Sequence, residues 1–162
     1  MRRFATLALT LATIASPVAA QSPHPNFSGK WVLDTKNSEG EMLPSAMTMV
    51  VTQNAKTLKV EKSSTMLMGE QKAEQKSTLN YNLDGSTSTN TASGMGASID
   101  LLSKLAWDGP TLLVTTKADL GGQPMTQTDR WTLGPDGKTL KLTQDVVVGG
   151  RTMPIKLSFT KL

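Results

Sequence analysis

The chain has 162 residues, no cysteine, a single histidine and a formal charge of +4. Disulfides, thiolate metal sites and Cys nucleophiles are thereby excluded, and one His does not furnish the usual zinc, haem or Ser–His sets. Arg2 and Arg3 account for two units of this net charge, so the remainder carries +2, too little for a nucleic-acid footprint.

The first twenty residues read as a signal peptide. Arg2 and Arg3 form a basic start, and Phe4 to Ile14 is an apolar run too short for a bilayer anchor. Val18, Ala19 and Ala20 offer the small residues of a cleavage site, with cleavage expected after about Ala20. The expected destination is the periplasm or the cell exterior. Residues 21–26, with two prolines around His24, read as a flexible lead-in.

From Phe27 onward the chain is punctuated by Asp84-Gly85, Asp108-Gly109, Gly121-Gly122, Asp136-Gly137 and Gly149-Gly150, with Gly94 to Gly96 filling the gap. Asp-Gly and Gly-Gly accept positive φ at little cost, which suits tight hairpins. Their spacing of about 10 to 15 residues is the rhythm of hairpin-linked strands. Between the turns, apolar and polar residues alternate. Leu140, Leu142, Gln144, Val146 and Val148 share one face, as do Met153, Ile155, Leu157 and Phe159. Ten strands are predicted, at 29–34, 46–53, 57–63, 71–83, 86–92, 97–107, 111–120, 123–133, 138–148 and 151–161. The stretch Ile99 to Ala106 fits a helix almost as well. Residues 35–46 form the one long loop, and 64–70 a second connection. So many short strands must hide their edges, and closure into a barrel does so. The expectation is a single all-β domain over 27–162, an antiparallel up-and-down barrel of about 8–10 strands. An open sandwich is the alternative.

Phe27-Ser28-Gly29-Lys30-Trp31-Val32-Leu33 resembles the G-x-W opening of the lipocalin and calycin superfamily. Tyr81, Trp107 and Trp131, each shortly before an Asp-Gly turn or G-x-D-G stretch, extend the likeness to secreted bacterial lipocalin-like domains of unknown function. The resemblance implies a barrel with a ligand cavity and a Trp across its closed base. Fatty-acid-binding members hold a carboxylate with an Arg-x-Tyr pair near the C-terminus. Here the last strands offer Arg151 and no Tyr.

A meander alternates its turns between two ends. The Asp-Gly turns and Asn54-Ala55 fall at one end, the glycine turns and the 35–46 and 64–70 connections at the other. The aromatics Phe27, Trp31, Tyr81, Trp107, Trp131 and Phe159 then gather at the Asp-Gly end as a barrel base. The methionines, including Met42, Met47 and Met95, gather opposite. Met49, Met66, Met68, Met125 and Met153 are the candidate ligand contacts at the mouth, with Gln127 and Gln144 deeper. Thioethers are flexible and polarisable and adapt to an apolar ligand, although Met also serves as ordinary core filler. Gln75, Ser77, Ser103, Gln127, Asp129 and Gln144 share the inward faces. They form either an internal hydrogen-bond network or the polar contacts of a pocket, and an inward Asp129 requires a cationic partner.

His24 reads as surface decoration in the lead-in. No spacing selects a carboxylate pair, and no phosphate-cradling glycine loop precedes a helix, so no enzyme and no cofactor is expected. Met47 with Met49 and Met66 with Met68 place thioethers on one strand face, which admits Cu(I) binding as a minor reading. The favoured expectation is a monomer that binds a small apolar or amphipathic molecule non-covalently. A packed barrel that docks on an envelope protein is the alternative.

Overall fold

The computed structural model describes residues 24–162 apart from Met42, Glu70, Met95 and Gly96. The signal peptide and residues 21–23 lie outside the described residues.

Ten strands follow one another: β1 (Gly29–Leu33), β2 (Ala46–Gln53), β3 (Thr57–Met68), β4 (Gln71–Asn82), β5 (Ser88–Gly94), β6 (Ala97–Asp108), β7 (Thr111–Asp119), β8 (Pro124–Leu133), β9 (Thr139–Val148) and β10 (Arg151–Lys161). The only helical piece among the described residues is a 3₁₀ turn at Thr35–Asn37, whose first amides are capped by the Asp34 carboxylate. The sheet order is β4-β3-β2-β1-β10-β9-β8-β7-β6-β5, antiparallel throughout. β1 therefore joins β10, with Trp31 opposite Lys161, and the meander wraps into a nearly closed up-and-down barrel.

The order ends at β4 and β5, which are consecutive in the chain and face one another across a seam. Side chains replace the missing ladder there. The Asn90 amide donates from Nδ2 to the Asn80 carbonyl at 2.9 Å and accepts at Oδ1 from the Asn80 N–H at 2.7 Å. Ser88 Oγ accepts from the Asn82 N–H at 2.7 Å. A carboxamide carries the same donor and acceptor as a peptide group, so it bridges a gap wider than the ~4.8 Å of a regular ladder.

One boundary differs from expectation by more than two residues. β3 runs to Met68 instead of ending near 63, because Ser63 to Thr65 pair with β4 although they lack an apolar signal. Gly69, at φ +64, follows it directly. Ile99 to Ala106 lies within β6, where pairing with β5 on one side and β7 on the other outweighs the helical spacing.

Rings fill the Asp-Gly end. Phe27, Trp31 and Phe159 are fully buried, with Trp131 and Tyr81 nearly so and Trp107 packed against them. Phe27 stacks on Trp107 at 6.1 Å and meets Trp131 edge-on at 5.8 Å. Its backbone is held on both sides, since its N–H donates to Gln53 Oε1 and its carbonyl accepts from Trp31 Nε1, each at 2.9 Å. The G-x-W motif has a conformational reason. Gly29 sits at φ +146, which side-chain-bearing residues rarely adopt, and the adjacent Lys161 amine lies 5.2 Å from the centre of the Trp31 ring.

The lead-in is part of this base wherever it is described. His24 stacks on Trp107 at 4.2 Å, and Gln53 Nε2 donates to the Pro25 carbonyl at 3.0 Å. The reading of His24 as surface decoration is corrected accordingly: an exposed edge of Trp107 offers it an apolar partner that sequence spacing does not reveal.

Candidate functional site

Alternation decides which side chains face the barrel axis, and the stagger of the strands decides how deep each one lies. Three spaces follow one another along that axis. The outermost, at the glycine end, is a cavity of about 880 Å³. A middle space of about 230 Å³ shares Met66, Gln75 and Ile155 with it. The innermost recess, about 40 Å³, shares Met47, Lys62, Gln144 and Leu157 with the middle one and ends on Tyr81 and Trp131. The interior is thus a funnel that narrows onto the aromatic base.

Met66, Met125 and Met153 line the wide cavity together with Ile99, Leu101 and Val146. Gln127 lines it too, and Gln144 lies deeper, against the two inner spaces. Met49 is placed differently from expectation. It is buried to 1 % exposure, opposite Trp31 in the sheet, and lines only the innermost recess. β2 descends from the mouth, and its fourth residue has already reached the core. Met42, Met95 and the Met68 side chain lie outside the described residues.

A strap crosses one side of the mouth. Glu39 and Lys156 exchange backbone hydrogen bonds at 2.8 and 2.7 Å, and Gly40 lies flat on Ile155, where a Cβ would press 3.2 Å from its methyl group. Exposed ion pairs, Arg151 with Glu41 at 2.9 Å and Lys156 with Glu39 at 3.0 Å, accompany it. Exposed pairs of this kind contribute at most about 1 kcal/mol, so the backbone bridge is what positions the strap.

The floor of the funnel is polar. Asp129, 7 % exposed, lies directly opposite Gln144 across the β8–β9 pair. Gln127 Nε2 donates to both its oxygens at 2.8 and 3.0 Å, and Gln144 Nε2 donates to Oδ1 at 3.0 Å. Burial raises the Asp129 pKa above the ordinary carboxylate value, while the two amides and the Lys62 charge pull it back. Lys62 faces the same recess from β3. Its side chain is only half-buried because the middle space opens against it, yet burial lowers the amine, and the Asp129 charge opposes that shift. Burial, and after it Asp129, pushes the Tyr81 phenol up. A second polar pair, Ser103 Oγ with Thr116 Oγ1 at 2.8 Å, satisfies itself across β6 and β7. Ser77 lines the middle space, and Gln75 reaches from the seam to the Ser93 carbonyl at 3.4 Å.

The expected network thus exists around Asp129, and its cationic neighbour is Lys62. Sequence reading did not single out Lys62. The signal was present: Leu58, Val60, Lys62, Ser64 and Met66 keep one parity along β3.

No protein-family model and no curated protein sequence matches the chain. Among solved structures, a mutant of the fatty acid transporter REP1-NXSQ is similar at 13 % sequence identity and a TM-score of 0.46. The match covers 84 % of this chain and 98 % of that one. Among the described residues no helix is long and apolar enough to cross a membrane.

Proposed function

We propose that this protein binds one small apolar or amphipathic molecule non-covalently inside the barrel, entering by the glycine end. The observation that carries the reading is the cavity of about 880 Å³, within the ~300–1,000 Å³ range of small-molecule sites. Its lining is largely apolar, and it leads inward to a few fixed polar groups. Desolvation of apolar surface supplies affinity, at about 25 cal/mol per Å² of buried apolar area before the costs of association. Met66, Met125 and Met153 adapt to shape, and Gln127 and Gln144 set orientation through the Asp129 network. A barrel packed solid for protein docking would leave no such space, which counts against that alternative. Export of a monomer after cleavage near Ala20 belongs to the same proposal.

Native mass spectrometry of the protein purified from its own cell envelope tests it, together with titration of Nile red, an uncharged apolar dye. The expected result is a co-purifying small molecule, and a saturable one-to-one dye signal that Val146→Trp, which intrudes into the cavity, weakens. Clean apo protein that leaves the dye dark would overturn the proposal.

A further inference from the structure

The polar floor constrains the head of whatever ligand enters, and the argument rests on the binding reading above. Lys62 and Asp129 line the same 40 Å³ recess beneath the apolar cavity. The Asp129 oxygens already accept three hydrogen bonds from Gln127 and Gln144. Lys62, by contrast, makes no ion pair within 4.0 Å among the described residues, and its amine borders the middle space through which a ligand must reach the floor. The group with the most unused hydrogen-bonding capacity toward a ligand head is therefore a donor.

The charge balance then selects among acceptor heads. The floor holds one cation and one anion. A carboxylate head would gain from Lys62 but would face Asp129, and its arrival would leave the recess with one uncompensated negative charge. An ammonium head would leave an uncompensated positive charge and would find one remaining acceptor site, on Asp129 Oδ2, beyond the three already taken. Each extra buried ion carries a desolvation cost that a shared partner only partly offsets. A carbonyl or ester oxygen accepts from Lys62 and adds no charge. We infer that the ligand is an uncharged amphiphile, its carbonyl, ester or hydroxyl oxygen accepting from Lys62 at the floor and its apolar chain lying against the methionines of the mouth.

Displacement of Nile red from the full-length protein at neutral pH by methyl laurate, laurate and dodecylammonium, all below their aggregation limits, tests this. Methyl laurate is expected to displace the dye at a concentration at least about tenfold lower than either ion. Asp129→Asn leaves Lys62 as the lone charge and is expected to shift preference towards laurate. Lys62→Met leaves Asp129 alone and is expected to shift it towards dodecylammonium. Each variant tests its own arm, so a misfolded one does not silence the other. A wild-type preference for laurate, or the same head-group order in wild type and both variants, would overturn the inference while leaving the binding reading intact. A protein that binds neither dye nor any of the three removes both.

Discussion

The two ends of this barrel are built from the same alternating strands, yet they solve opposite problems. At the Asp-Gly end, six aromatic rings and the segment from His24 to Ser28 close the cylinder, and the backbone of Phe27 is held by side chains on both sides. At the glycine end, inward positions carry methionines and aliphatics that do not meet across the axis, and a cavity remains. Rings are wide enough to touch across the base, whereas single thioethers are not. The contrast teaches that an apolar inward face does not by itself mean a packed core: ring size and the chain segment laid across the end decide whether the space is filled.

Substitutions can break or sharpen this contrast. The largest expected effect is at the base. Phe27→Ala removes the ring that bridges Trp107 and Trp131 and should cost about 3–5 kcal/mol, read as a fall in the denaturant midpoint. A loss near that of a mouth substitution would deny the base its special role.

At the floor, replacing both charges together, Lys62→Met with Asp129→Asn, should leave stability equal or raise it by about 1–2 kcal/mol, because two desolvated ions are exchanged for uncharged side chains. The sign with pH follows from the Asp129 shift. Its folded pKa lies above the unfolded value, so the wild type bears least of this cost below the ordinary Asp range and progressively more as pH rises through it. The variant's lead in thermal melts should therefore narrow on acidification. A lead that widened would reverse the assignment of burial as the main cause.

A smaller difference separates two tryptophans of the base. Trp31 Nε1 donates to the Phe27 carbonyl, whereas Trp131 Nε1 is buried without a partner among the described residues. Trp31→Phe orphans that carbonyl's bond, while Trp131→Phe removes an unmet donor. The first should cost about 1 kcal/mol more than the second in paired unfolding curves.

The smallest stability effects belong to the mouth. Met125→Ala and Met153→Ala line open space, and each should change folding free energy by less than about 1 kcal/mol while weakening Nile red binding measurably. Destabilisation on the scale of Phe27→Ala would mean that the mouth is core after all.

Much of the architecture was legible beforehand. Strand parity from Leu140 to Val148 and from Met153 to Phe159, and the Asp-Gly and Gly-Gly turns, specify an antiparallel meander with two chemically distinct ends. The errors are informative. Met49 was expected at the mouth because all methionines were grouped by turn, but its depth depends on where β2 starts its descent. Lys62 is not among the residues the sequence singles out, although its parity with Val60 and Met66 points inward. His24 was assigned to a loose tail because its partner, Trp107, is more than eighty positions away.

By itself the sequence determined the order of the strands, the end to which each turn belongs and, for most positions, which face is inward, because hydrophobic alternation and turn conformations are local properties. The tertiary structure alone decided how far down the axis each side chain sits, that β1 closes onto β10, that Asn90 stitches the remaining seam, and that Lys62 and Asp129 share a floor. Those outcomes depend on the stagger between strands distant in the chain and on how much volume the inward side chains leave unfilled, and no single strand carries that information.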